Sequence, residues 1–307
     1  MTNFETPVLF IIFNRIETAQ QVFDAIKKRQ PKYLYIAADG PRSNKEGEAE
    51  KCRKVRDIIK QIDWDCELKT LFQDHNLGCA KGFSTAITWF FDNVEQGIIL
   101  EDDCLPHPDF FPYCEELLNK YKDNEEIMLI SGDNFQDGIK RGEASYYFSG
   151  YINIWGWASW RRAWQGYDLY LKNYVLSDFK YDIQPYLSSW KERQIWIDKF
   201  LMMKKQGNNT WDYQLGFHMW KNKGLCIIPN VNLISNIGVY GGTHYYAKNN
   251  TTNLALETNS ILPLIHTSSI DQNKEADAYL YKNMYHKTIF QLFWRFMKRK
   301  HKIISKF

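Results

Sequence analysis

The chain has 307 residues, 44% hydrophobic and 24% charged, an ordinary globular composition that excludes disorder as the main state. The net charge of +3 is unevenly spread: the first 281 residues carry 31 basic and 36 acidic groups, while Lys282 to Phe307 holds eight Lys and Arg and no acid. A nucleic-acid reader carries positive charge across its working face and is excluded, as are a zinc ribbon and a dense disulfide framework, because the six cysteines form no CxxC pair.

Residues 7–13 (PVLFIIF) form a continuous apolar run, the pattern of a strand buried on both faces of a parallel sheet. A helix is expected over 17–29, with Ala19, Val22, Phe23 and Ile26 at helical spacing. A second strand over 33–39 ends at Gly40-Pro41, and a charged amphipathic helix follows over 46–62. Residues 66–73 read as a third strand, 81–94 as a helix, and 97–100 (GIIL) as a fourth strand running into Glu101-Asp102-Asp103. Pro108 suits the first turn of a helix reaching about 121, and 127–132 is a fifth strand. This alternation predicts a parallel sheet with helices on both faces.

Ligands in such sheets bind at the carboxyl ends of the strands. Asn14-Arg15, Asp39-Gly40, residues 74–78, Glu101 to Asp103 and Gly132-Asp133-Asn134 all fall on that one edge. Three adjacent carboxylates repel one another unless a cation or donors offset them, and oxygen ligands of this kind suit Mn²⁺ or Mg²⁺ held together with phosphate oxygens. An acidic helix-capping turn is the alternative reading.

The second half is less regular. Residues 155–164 (WGWASWRRAW) hold four tryptophans, 188–206 and 211–221 read as helices, 226–229 as a strand, and 236–246 as a glycine-rich irregular stretch. From about 277 the chain reads as a basic amphipathic helix with Ile289, Phe290, Phe293 and Trp294 on one side and Arg295, Lys298 and Lys302 on the other. That pattern suits an anionic membrane surface, or docking on the chain's own domain. The apolar run at 8–13 is too short for a signal peptide or a membrane span, so a cytoplasmic protein is expected, attached peripherally to the inner membrane face through this helix.

Residues 97–114 (GIILEDDCLPHPDFFPYC) resemble the metal-binding segment of the GT-A glycosyltransferases, and especially the EDD and PDFF stretch of N-acetylglucosaminyltransferase I and its relatives. The resemblance implies a GT-A fold: a Rossmann-like α/β nucleotide-diphospho-sugar transferase with a mostly parallel central sheet and helices on both faces. Residues 1–135 would be the nucleotide-sugar-binding half, 136–270 the acceptor-binding half of the same domain, and 271–307 the basic C-terminal helix. Asp103 would ligate Mn²⁺ or Mg²⁺, with Asp102 assisting through water and His244 as a further ligand. Asn14, Arg15, Asp39, Gly40, Asn76, Lys81, Glu101 and Asp102 would contact the nucleotide, Asp39 reading a uracil N–H. Asp133, Trp155, Gly156 and Trp157 would line the acceptor side. Asp212, in TWDYQL, would be the base that deprotonates the acceptor hydroxyl, with Asp133 and Asp168 as rivals.

The expected activity is inverting transfer of a sugar from a nucleotide donor, such as UDP-GlcNAc or a UDP-hexose. The acceptor would be a hydroxyl of a glycan or lipid-linked glycan, in cell-surface polysaccharide or lipopolysaccharide synthesis. A nucleotidyltransferase and a non-catalytic carbohydrate-binding protein are the alternatives. The former usually opens with a glycine-rich phosphate loop, absent from FNRIET at 13–18, and the latter leaves the acidic strand end unexplained.

Overall fold

Strand β1 (Val8–Ile12) is buried at every residue, as an apolar run between two layers of helices must be. The computed structural model describes residues 4–206, 209–238 and 256–285. In chain order β1 is followed by α1 (Ile16–Arg29), β2 (Tyr33–Ala38), α2 (Glu48–Arg56) with a 3-10 turn (Asp57–Gln61), β3 (Glu67–Phe72), α3 (Cys79–Asn93), β4 (Gln96–Glu101), β5 (Cys104–Pro106), α4 (Phe110–Lys120) and β6 (Ile127–Ser131). Then come β7 (Tyr146–Ser149), β8 (Trp157–Trp160), α5 (Arg161–Trp164), α6 (Leu176–Ile183), α7 (Trp190–Gln206), α8 (Asp212–Lys221), β9 (Leu225–Pro229), β10 (Ile234–Asn236) and α9 (Lys274–Leu280).

Eight strands form one sheet in the order β3-β2-β1-β4-β8-β6-β9-β7, and β5 pairs with β10 in a separate ribbon. The protein is therefore α/β, with a mostly parallel central sheet and helices on both faces. Two strands depart from the parallel set: the edge strand β7 runs antiparallel to β9, and β8 inserts between β4 and β6 and runs antiparallel to both. Because it opposes both neighbours, β4 and β6 remain parallel to each other, and their carboxyl ends still share an edge.

Alternation along the strands divides the core in two. Leu9, Ile11, Tyr35, Ala37 and Ile99 face one layer with α3 and the aromatic helices α6 to α8. Val8, Phe10, Ile12, Leu34, Ile98 and Leu100 face the other with α1 and α4. Ala19, Val22, Phe23 and Ile26 of α1 are all buried, the stripe that their spacing predicts. Each large side chain so removed from water contributes about 1.5–3 kcal/mol before entropy is counted.

Asp277 of α9 is 4% exposed and accepts hydrogen bonds from Ser149 Oγ (2.5 Å) and the Gly150 N–H (2.9 Å). The described start of the C-terminal segment is thus docked on β7, whereas the basic amphipathic stretch at 289–302 lies outside the described residues. Among the described residues no helix is long and apolar enough to cross a membrane.

Candidate functional site

The three acids at the end of β4 divide between strand and turn. Glu101 continues the face of Ile99. β4 ends at Glu101, and Asp102 and Asp103 begin the turn that follows, where one guanidinium, that of Arg15, pairs with both. Asp102 is 4% exposed; one of its oxygens takes the Arg15 Nη2 and the other accepts the Phe13 N–H at 3.2 Å. Each oxygen of Asp102 thus has one protein donor, which ties the residue to the β1 loop. Burial, offset in part by Arg15, lifts its carboxyl to about 6.

Asp103 keeps one face open. Its Oδ2 lies 2.9 Å from Arg15 Nη1, and its backbone carbonyl accepts the Ile237 N–H at 2.8 Å. β10 pairs Asn236 with Cys104 and carries Gly238 directly over the pair. A Cβ on Gly238 would sit 2.3 Å from Asp103 Oδ2 and 2.9 Å from Arg15 Nη1, so a larger residue here would have to displace one of these side chains.

Glu101 accepts no hydrogen bond from a described residue. Burial first, then Asp103 and Asp102, push its carboxyl well above the usual range, with Asp212 adding to the effect and Arg15 opposing it. Asp212 opens α8, where an acid suits the helix dipole, and accepts a hydrogen bond from Thr210 Oγ1. Cys79, the first residue of α3, shows how tightly these groups gather. Burial, with Glu101, Asp212 and Asp39 as added influences, pushes its thiol up to about 12. Neither Cys79 nor Thr210 stood out in the sequence, because a lone thiol and a loop hydroxyl carry no spacing signal.

Asp39 caps the other side. Oδ1 accepts the N–H groups of Gly40 and Leu77, both at 2.8 Å, and Oδ2 accepts the Gly78 N–H (3.1 Å) and Asn76 Nδ2 (3.0 Å). A carboxylate has about four acceptor positions, and here four protein donors fill them. These bonds tie β2 to the turn that launches α3. Asn76 also donates to the Gly40 carbonyl (2.9 Å). Lys81 stands exposed one turn into α3 and makes no ion pair with a described residue. Asn14 donates to Glu48 Oε1 (2.9 Å), and Glu48 pairs with Arg42. Arg42 holds the Glu48 carboxyl down at about 2. This buried bridge between the first two loops was hidden inside a charged helix of ordinary appearance.

The acceptor-side residues divide. β8 pairs Trp157 with Ile99 of β4 and with Ser131 of β6. Trp157 itself is 1% exposed and stacks on Trp211; it is core, not a stacking wall. Gly156, at φ +62°, is buried where a Cβ would lie 2.5 Å from Ile234 Cδ1. Trp155 is half-buried, edge-on to Phe135 at 5.0 Å. Asp133 is buried; Oδ1 accepts Ser131 Oγ at 2.6 Å, Oδ2 has no partner among the described residues, and burial lifts the carboxyl to about 7. Asp168 is half-buried and accepts the N–H groups of Tyr170 and Lys172, closing its own loop. Asp109 of the PDFF stretch holds Ser260 Oγ (2.5 Å) and the Ile261 N–H (3.0 Å), away from the acid cluster. His244 lies outside the described residues.

Glu101, Asp102, Asp103 and Asp212 gather on this edge, and Arg15 is the cation that offsets them among the described residues. An excess of carboxylate with an unpartnered Glu101 fits a divalent cation. No three His, Cys, Asp or Glu among the described residues form a group that could hold a metal ion.

No family model and no curated protein matches the chain. Among solved structures, the chain is similar to UDP-glucose pyrophosphorylase complexed with UDP-glucose, at 11% identity and TM-score 0.36 over 76% of this chain and 94% of that one. It is also similar to mouse xyloside xylosyltransferase 1, at 12% identity and TM-score 0.34 over 70% and 81%. A cytidylyltransferase from Leptospira borgpetersenii matches at 11% identity and TM-score 0.35 over 65% and 96%. Likeness at this level assigns no reaction.

Proposed function

We propose that this chain is a glycosyltransferase that moves a sugar from a nucleotide donor, of the UDP-sugar class, to a hydroxyl of a glycan acceptor. The observation that carries the reading is that the Glu101 carboxyl lies within electrostatic reach of both Asp103 and Asp212. They come from segments about a hundred residues apart in sequence, on the edge of the sheet where ligands bind. Transfer needs a cationic anchor for a diphosphate and a base for the incoming hydroxyl, and these acids supply both.

Asp103 and the donor phosphates would hold Mn²⁺ or Mg²⁺, which when bound neutralises charge developing on the leaving diphosphate. Lys81 adds a positive charge near the start of α3. Asp212, oriented by Thr210 through one oxygen, accepts the acceptor's proton on the other. The acceptor oxygen then bonds to the anomeric carbon as the bond to the diphosphate oxygen breaks, inverting the configuration.

The test is release of UDP from UDP-sugars in the presence of glycan acceptors. Asp212→Asn should lower turnover by about 10²–10⁴-fold, the usual contribution of a general base, with donor binding retained. Release of pyrophosphate from a nucleoside triphosphate and a sugar phosphate would instead identify a nucleotidyltransferase.

A further inference from the structure

Helices α6 and α7 form an antiparallel hairpin. Phe179 packs on Phe200 with ring centroids 5.3 Å apart, and behind them Lys204 Nζ donates to the Lys172 carbonyl at 2.8 Å. Phe179 and Ile183 of α6 are buried, and Tyr181, two residues from each, stands on the face turned away from the core. It is 77% exposed. Val175 before α6, Leu176 at its start and Trp190 at the start of α7 are 60%, 43% and 69% exposed. Single exposed apolar residues need no explanation, but four large ones on one hairpin do.

The exposed charges of this stretch have one sign. Lys172, Lys180 and Lys191 are exposed, and no Asp or Glu between 172 and 191 is. The two acids there turn to the protein: Asp178 accepts the Val175 N–H at 2.8 Å, and Asp182 lies within electrostatic reach of Lys221. Aromatic and aliphatic side chains interleaved with lysines suit the boundary of an anionic bilayer, where Trp and Tyr rings sit at headgroup level and lysine ammonium groups meet lipid phosphates. The hairpin is also fastened to the unit that carries Asp212. Phe179 meets Phe217 of α8 at 4.9 Å, Gln214 Nε2 donates to the Leu169 carbonyl at 2.9 Å, and the Tyr167 hydroxyl donates to the Trp211 carbonyl at 2.8 Å.

We propose that the α6–α7 hairpin docks this protein on an anionic lipid surface and so brings Asp212 to an acceptor carried in that surface. The docking needs only the hairpin; the class of acceptor, a lipid-borne glycan, rests on the transferase reading.

The experiment is co-sedimentation of the full chain with vesicles of phosphatidylcholine alone and of an equal mixture of phosphatidylcholine and phosphatidylglycerol. Wild type should bind the mixed vesicles and not the neutral ones. Tyr181→Ala with Trp190→Ala should weaken binding about tenfold or more, the scale of large apolar side chains withdrawn from the bilayer. Lys180→Gln should weaken it about fivefold, as loss of one charge near an anionic surface does. These side chains are exposed, so the variants should melt at the wild-type temperature. A comparison variant, Arg295→Gln with Lys298→Gln and Lys302→Gln, separates the basic C-terminal stretch. Binding that is lost there and unchanged in the hairpin variants overturns the proposal, as does a wild type that binds neither vesicle. A wild-type dimer that Tyr181→Ala with Trp190→Ala dissolves, with no vesicle binding, assigns the face to a second copy and overturns it too. Sedimentation needs no turnover, so failure here leaves the transferase reading standing, and a protein that releases no UDP from UDP-sugars leaves the docking standing.

Discussion

The indole of Trp211 stacks on that of Trp157 with ring centroids 5.9 Å apart and planes 26° from parallel. On its other side Trp211 meets Phe83 at 5.5 Å and 6°. The stack clamps the residue before Asp212 between β8 and α3. Asp212 therefore owes its position to buried aromatic packing rather than to the helix that it begins.

Trp211→Ala should cost about 3–5 kcal/mol, as removal of a buried tryptophan does. Trp211→Phe keeps an aromatic face and should fold. Its turnover should fall much more than its donor affinity, because it is Asp212 that shifts. Equal losses in kcat and donor affinity would mean that the stack supports the donor pocket instead.

Asp39→Asn presents an amide N–H₂ to N–H groups that now donate to the carboxylate. Urea unfolding should show a loss of roughly 1–3 kcal/mol. Unchanged stability with weakened nucleotide binding would assign the residue the role of base reader instead.

Gly238→Ala places a methyl group 2.3 Å from Asp103 Oδ2. The fold should survive, since the clash lies at the edge of the sheet, but the Mn²⁺-dependent thermal shift with UDP should drop at least several-fold. A normal shift would show that the segment beyond β10 stands clear of the binding site.

Burial raises the Asp133 carboxyl from 3.8 to about 7 in the folded protein. The folded state thus holds a proton that the unfolded chain gives up earlier, and stability falls as pH rises from about 4 to 7. Asp133→Asn removes that loss. The variant should gain roughly 2–4 kcal/mol over wild type at pH 8 and nothing at pH 4. A gain that is the same at both pH values would assign the effect to packing.

The strands at 8–12, 33–38, 98–100 and 127–131 were legible because each is apolar on both faces. Such runs also locate their own ends, which is why Glu101 to Asp103 stood out as strand-end acids. β8 was not legible. WASW carries the tryptophans of a core rather than an alternating pattern, and nothing local tells a strand that it will run against its neighbours. The three-residue ribbon strands β5 and β10 are too short to show a period. Arg15 was visible as a loop cation, but its pairing with Asp102 and Asp103 depends on β1 and β4 lying side by side. The filling of Asp39 likewise depends on where the turn at 74–78 lands. Contacts across the sheet edge are set by topology, and single residues do not announce them.

The proposed transfer requires Asp103 to anchor a nucleotide through a divalent ion. The direct measurement is calorimetric titration with UDP, with and without Mn²⁺, of wild type, Asp103→Ala and Asp212→Asn. Binding to wild type that needs Mn²⁺, is abolished in Asp103→Ala and persists in Asp212→Asn is the predicted result. UDP binding indifferent to Asp103→Ala, or absent from wild type with Mn²⁺ present, would contradict it.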